Sequence, residues 1–302
     1  MMLNGKVVLV TGAGGGIGKE IALSAARSGA AVVVNDIGAT LSGHSENGGA
    51  AQAVVDEITA AGGKAVANTD SVSDMAGAER MIGAATEHFG RLDAVVNNAG
   101  ILRDGFFHKM SFEDFDAVIK VHLYGAFNTS RAAAPVFREQ NGGSLIHMTS
   151  TSGLIGNLAQ ANYSAAKLGI LALSKSIALD MQRWNVRSNC VAPFAWSRMT
   201  SNIKVDSLEQ EARVAKLREM KPEKIAPLVT YLASDAGVDV TGQVFTVRNN
   251  EVFLMNQVRP VRSVHRSEGW TGDTIASHAM PALKNSFVPL DVSADVFAWD
   301  PI

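Results

Sequence analysis

The chain has 302 residues, 47% of them hydrophobic and 19% charged, with a formal net charge of −2 and a pI near 6.4. That is enough apolar material for one large α/β domain or two small ones. The lack of a basic surplus or of any block of like charges argues against a nucleic-acid binder and against a polybasic membrane patch.

In chain order, a first strand is predicted over residues 7–10, leading into Thr11-Gly12-Ala13-Gly14-Gly15-Gly16-Ile17-Gly18 and a helix over 17–28. A second strand over 31–35 ends on Asp36 and is followed by a Gly- and Ser-rich stretch, 38–49, longer than such connections usually are. Then come a helix over 49–60, a strand over 64–68 followed by Asp70-Ser71-Val72, a helix over 74–89, and a strand over 94–97 followed by Asn98-Ala99-Gly100. A long helix is predicted over 112–140, a strand over 144–149 ending at Ser150, a helix over 162–184, and a strand over 187–191 followed by Pro193-Phe194. A helix over 222–234 and a strand over 243–247 complete the alternation. The strands read as unbroken apolar runs, the pattern of a parallel sheet buried on both faces. The fold class is therefore α/β: a doubly wound, mostly parallel seven-stranded sheet of Rossmann type. Residues 1–247 are read as one dinucleotide-binding domain with a substrate lid at about 194–225, and 248–302 as an extension. That extension has four prolines and little periodicity; it suits a pocket wall or a subunit interface equally.

The single cysteine, Cys190, rules out a disulfide framework within one chain and reads most simply as a buried strand residue. No apolar run approaches membrane-spanning length, the run before the glycine loop is too short for a signal-peptide core, and Asp300-Pro301-Ile302 is not a targeting tripeptide. These features point to a soluble cytoplasmic protein.

The glycine loop carries the first piece of chemistry. Glycines let the backbone approach a pyrophosphate, and the helix that follows offers free N–H groups and a positive dipole end. The spacing is TGxxxGxG, with Gly12, Gly16 and Gly18, rather than GxGxxG. Asp36 lies at the end of the second strand, where a carboxylate accepts hydrogen bonds from the adenosine ribose and repels a 2′-phosphate. No arginine or lysine follows it directly, so NAD is expected rather than NADP. Asp70, Ser71, Val72 and Asn98, Ala99, Gly100 lie at carboxyl ends of strands, where ligands collect in such sheets.

Tyr163 and Lys167 stand four apart in helical sequence and share one face. Ser150 precedes Tyr163 at the end of a strand. With these residues the chain resembles the short-chain dehydrogenase/reductase family: TGAGGGIG at 11–18, NNAG at 97–100, Ser150, and YxxxK at 163–167, covering residues 6 to about 247. The resemblance implies that Ser150 hydrogen-bonds the substrate oxygen, that Tyr163 is the general base in alcohol oxidation and the acid in ketone reduction, and that Lys167 favours the phenolate and holds the nicotinamide ribose. Pro193 falls among the expected cofactor contacts. Two positions depart from the family pattern. His122 stands where an asparagine usually supports a water-linked proton relay; a histidine can bridge by hydrogen bond and can titrate, and it can equally be a satisfied core residue. Phe194 follows Pro193 where glycine is usual.

These departures resemble one branch, the (3R)-hydroxyacyl-CoA dehydrogenase domains of peroxisomal multifunctional enzymes. The segments that carry the likeness are Ile101-Leu102-Arg103-Asp104, Val121-His122-Leu123, Gly156-Asn157, Gln160 to Gly169, and Ser197-Arg198-Met199-Thr200. The branch implies NAD-linked oxidation of a 3-hydroxyacyl-CoA thioester, with 17β-hydroxysteroids as substrates of some members, and a homodimer or homotetramer. The hydratase and sterol-carrier domains of the multifunctional proteins are not in this sequence, so a stand-alone homologue is expected. A dehydrogenase for a free secondary alcohol is the alternative, with Phe194, Trp196 and Met199 as apolar lid residues. A non-catalytic NAD-binding regulator is a remote third reading, since it need not keep Ser150, Tyr163 and Lys167 together.

Overall fold

In the computed structural model, residues 1–38, 49–196 and 208–302 are described. The chain runs β1 (Val7–Thr11), α1 (Gly16–Arg27), β2 (Ala31–Asn35), α2 (Ala50–Ala60), β3 (Lys64–Asn68), α3 (Met75–Phe89), β4 (Ala94–Asn97), α4 (Phe112–Ile119) and α5 (Gly125–Gln140). It continues through β5 (Gly143–Met148), α6 (Thr151–Leu154), α7 (Ala161–Met181), β6 (Val186–Phe194), α8 (Leu208–Arg218), α9 (Ala226–Ala233) and β7 (Val244–Arg248). It ends with β8 (Glu251–Leu254) and the short helices α10 (Gly272–Thr274), α11 (Met280–Lys284) and α12 (Ser293–Val296).

The sheet order is β3-β2-β1-β4-β5-β6-β7-β8, parallel throughout except for antiparallel β8. The order reverses between β1 and β4, which opens a crevice at the carboxyl ends of those strands. The unbroken apolar runs are explained by double burial. Val8 and Val10 of β1 pack with Ile21, Val54, Ile58 and Leu232 on one face of the sheet. Val7 and Leu9 pack with Met81, Ile82, Phe137 and Leu145 on the other. Side chains alternate across a strand, so every second residue serves a different helical layer.

Local signals set the helix ends. Asp74 accepts from the N–H groups of Ala76 and Gly77 to start α3, and Gly90, at φ 76°, stops it. Ser111 caps α4 in the same way through the Asp114 N–H.

Three expectations are corrected. The sheet has eight strands, not seven: β7 and β8 form a hairpin across Asn249-Asn250, with Asn249 at φ 54°. Asn-Asn between two apolar runs is the signal that identifies it, because asparagine tolerates the left-handed backbone such turns need. The helix predicted over 112–140 is broken into α4 and α5 by a π-helical turn, Lys120–Tyr124. The strand predicted over 187–191 runs on to Phe194, paired in register with Arg248. The predicted long loop at 38–49 lies largely outside the described residues, as do residues 197–207 of the lid, Ser197 to Thr200 among them.

Candidate active site

The glycine loop is closed around backbone. Gly12 and Gly16 have φ of +62° and +54°, a region that favours glycine. A Cβ on Gly18 would lie 2.2 Å from the Gly12 carbonyl oxygen, and one on Gly12 would lie 2.8 Å from Ala99 Cα. Gly15 caps α1 without a side-chain hydrogen bond, so the first-turn N–H groups face the loop uncapped. Ile17 anchors the turn by packing on the core beneath. Asp36 is held at the rim: Gly14 N–H donates to its Oδ2 and Gly38 N–H to its Oδ1, both at 2.8 Å.

Asn98 is a clamp. Its Nδ2 donates to the carbonyls of Thr11 and Gly12, both at 3.0 Å, while Thr11 Oγ1 accepts from the N–H groups of Asn98 and Ala99. The loop after β1 is thereby tied to the end of β4. Asp70 is engaged by Arg80 and Asn68, and the Arg80 guanidinium holds its carboxyl below the usual range. Ser71 Oγ accepts from the Ser73 N–H, and Val72 is buried against Gly125, where a Cβ would approach to 2.8 Å. Pro193 sits on β6 in register with Val247.

At the carboxyl end of β5, Ser150 Oγ accepts from the Ser152 N–H and donates to Ser152 Oγ, each at 3.1 Å. The chain continues from Ser152 Oγ to Gln160 Oε1 at 2.9 Å, and from Gln160 Nε2 to Asp104 Oδ2 at 3.0 Å. This polar line fixes the serine hydroxyl, and sequence reasoning did not see it, because its members are scattered over 56 residues. Asn162, fully buried, ties the start of α7 to the carbonyls of Arg103 and Asp114.

Tyr163 and Lys167 lie on α7 as expected, with Lys167 Nζ 5.4 Å from the phenol ring centroid. Lys167 is 4% exposed and donates to the Met148 carbonyl at 2.6 Å. Burial lowers its pKa to about 7. Burial pushes the Tyr163 phenol up to about 12, with the Ser150 hydroxyl pulling it down and Asp104 pushing it further up.

His122 sits on the π-helical turn, edge-on to the Tyr163 ring at 5.2 Å between centroids. Its Nε2 lies 2.8 Å from the Ile101 carbonyl and 3.1 Å from the Ile101 N–H. Its Nδ1 is buried with no hydrogen-bond partner among the described residues. Burial, and then the Lys167 charge, lower its pKa to about 3, which keeps the ring neutral at working pH. Gly100 is part of this arrangement: a Cβ there would lie 2.3 Å from His122 Cε1. A cavity of about 10 Å³ lies between the end of β1 and α7, lined by Thr11, Asn97, His122 and Lys167 among others.

A glycine cradle at the switch point, an acid at the end of β2, a serine after β5, and a tyrosine and lysine on α7 define a dinucleotide-dependent α/β oxidoreductase. The family model for short chain dehydrogenases matches residues 6–207. The chain belongs to the short-chain dehydrogenase/reductase family and is an oxidoreductase acting on CH–OH groups with a nicotinamide dinucleotide cofactor. It is 48% identical over 247 residues to a short-chain type dehydrogenase/reductase of Mycobacterium tuberculosis, covering 82% of this chain and 83% of that one. It is 42% identical to a hydroxyacyl-CoA dehydrogenase of the same organism, over 84% of this chain and 80% of that one. Identity to the peroxisomal multifunctional enzyme type 2 of Mus musculus is 46% over 78% of this chain, which spans 31% of that longer protein. A crystal structure of a short chain dehydrogenase from Mycobacterium avium superposes with a TM-score of 0.85 at 42% identity, covering 97% of this chain and 99% of that one.

Proposed function

We propose that this chain oxidises a (3R)-3-hydroxyacyl-CoA thioester to the 3-oxoacyl-CoA, with NAD as cofactor. The observation that carries the cofactor choice is Asp36, held by two backbone N–H groups beside the loop where only glycine fits. A fixed carboxylate there accepts ribose hydroxyls and repels a 2′-phosphate. The glycine cradle and the uncapped end of α1 fit a dinucleotide pyrophosphate. The likeness to a hydroxyacyl-CoA dehydrogenase over most of both chains supports the substrate class.

When bound, NAD supplies the acceptor for the hydride from the carbinol carbon. The protein supplies the rest. Ser150, whose single hydroxyl proton goes to Ser152 Oγ in the free protein, turns that proton to the substrate oxygen on binding, while the Ser152 N–H keeps its oxygen in place. Tyr163 takes the hydroxyl proton as the carbon–oxygen bond becomes double. Its phenol is protonated in the free protein at neutral pH, because burial disfavours the anion. The Lys167 cation and the positive ring of the oxidised cofactor lower that barrier. His122 stays neutral, so its part is to hold rather than to titrate. The cavity beside it matches the roughly 10–15 Å³ one water needs, and a water there would link Nδ1 to the Lys167 ammonium. Exposed aromatic residues on α4, the π-helical turn and α5, namely Phe112, Tyr124 and Phe127, support a homodimer or homotetramer, which light scattering would test.

The test is purified protein with NAD or NADP and a panel of (3R)-3-hydroxyacyl-CoA thioesters, free hydroxy acids and cyclic secondary alcohols. Reduced nicotinamide should form with NAD and the CoA thioesters. Turnover confined to free steroids or cyclic alcohols, or a preference for NADP, would overturn the proposal.

A further inference from the structure

Two sequence features stand outside the reaction: Phe194 in place of glycine, and the proline-bearing stretch after residue 248. The structure brings them together. Phe297, 7% exposed, meets Phe194 ring to ring, with centroids 5.0 Å apart and planes at 66°. Phe297 also packs on Phe253 at 5.3 Å and beside Trp299 at 5.6 Å. Offset and edge-on pairs of this kind fix orientation as well as burying area.

Both ends of the stretch are anchored. Arg248, 4% exposed, donates to the Trp299 carbonyl and pairs with Glu251 at 3.1 Å. Glu251 accepts from the Trp299 indole N–H at 2.8 Å, and the Asn250 N–H donates to the Ile302 carbonyl at 2.9 Å. Asp300 pairs with Lys216 of α8 at 2.7 Å. At the other end, the Ser293 N–H and hydroxyl both donate to the Gly156 carbonyl, at 2.9 and 3.1 Å. A Cβ on Gly156 would lie 3.4 Å from the Asp291 carbonyl oxygen.

Gly156 belongs to the segment that leaves β5 with Ser150, and Phe194 ends β6, the next strand. Both segments lie at the carboxyl ends of adjacent strands, the end of the sheet at which Ser150 stands. We propose that residues 291–302 are a strap across the walls of the acyl cleft, with Ser293 and Phe297 as positioning residues that set which acyl groups fit. This rests on the reading that the substrate is a 3-hydroxyacyl-CoA. The glycine loop and Asp36 lie at the ends of β1 and β2, two or more strands away in the sheet order, so the strap does not reach the residues that would hold the pyrophosphate and adenosine ribose; of the expected cofactor contacts, Pro193 stands next to Phe194.

The experiment compares the parent protein with Phe297→Ala, Ser293→Ala and a chain lacking residues 291–302, using thioesters of increasing acyl length. Phe297→Ala should raise KM for the preferred thioester about tenfold, as loss of a packed aromatic anchor does. It should also flatten the dependence of kcat/KM on chain length. Titration calorimetry should show NAD binding within about twofold of the parent, since no strap residue nears the glycine loop. Phe297→Tyr should restore the length profile. An unchanged KM and length profile in folded Phe297→Ala would overturn the strap, as would NAD binding weakened in parallel with KM. Should the deletion fail to fold, the point variants decide. No turnover of any thioester by the parent protein would overturn the functional reading itself, a failure visible before any variant is made.

Discussion

Tyr163 and Lys167 are four residues apart, yet burial moves them in opposite directions, the phenol to about 12 and the ammonium to about 7. Oxidation needs the phenolate, so kcat/KM for oxidation should rise with pH above neutrality and level off once the phenol in the complex has ionised. Lys167→Met removes the nearby cation and should shift that limb to higher pH; an unmoved limb would remove Lys167 from the proton chemistry. Tyr163→Phe should cut kcat by about 10²–10⁴-fold, the range of general acid–base contributions, with NAD affinity retained. Asp36→Ala should weaken NAD by about tenfold or more, since hydrogen bonds to a charged group are worth roughly 1.5–3 kcal/mol. It should weaken NADP far less. Equal losses for both cofactors would show that the carboxylate does not choose between them.

The π-helical turn between α4 and α5 decides where His122 stands. It puts the ring against Tyr163 and under Gly100, so that Gly100→Ala drives a methyl into the imidazole. Overpacking of this kind costs about 1–3 kcal/mol, and thermal unfolding of Gly100→Ala should show it. Periodicity over 112–140 reads as one helix because a π-turn changes the register by a single residue and leaves no composition mark. The alternation of strands, the glycine loop, Asp36, Ser150, Tyr163 and Lys167 are legible because each rests on local spacing or on a residue type with one use. The Ser150–Ser152–Gln160–Asp104 line, the Asn98 clamp and the Phe194–Phe297 contact are not, since they run through positions up to 103 residues apart that only tertiary packing joins. β8 hides for another reason: four residues with one exposed face after a turn carry little pattern. At the level of sequence His122 reads as able to bridge, to titrate or to sit as a core residue; its burial, which lowers its pKa to about 3, favours a neutral ring.

Across the whole molecule, two buried histidines tie stability to pH. His122 is held at about 3 and His147 at about 4, both chiefly by burial, against an ordinary value of 6.5. Below pH 6.5 the unfolded chain binds protons that the folded one refuses, so stability falls as pH falls from 6.5 through 4. The slope should approach about two protons, and His147→Gln should lower it by up to about one. An equal slope in that variant would contradict the burial of a neutral ring.

On the function proposed above, the glycine cradle, Asp36 and the group of Ser150, Tyr163 and Lys167 serve one event, transfer of a hydride from C3 of a hydroxyacyl thioester. That is tested most directly with (3R)-3-hydroxyacyl-CoA carrying deuterium at C3, incubated with NAD and the parent protein or Tyr163→Phe, and read by mass spectrometry of the reduced cofactor. The parent protein should place deuterium on the nicotinamide ring while Tyr163→Phe places almost none in the same time. An unlabelled reduced cofactor, or none formed from the thioester by a folded parent protein that binds NAD, would contradict the assignment.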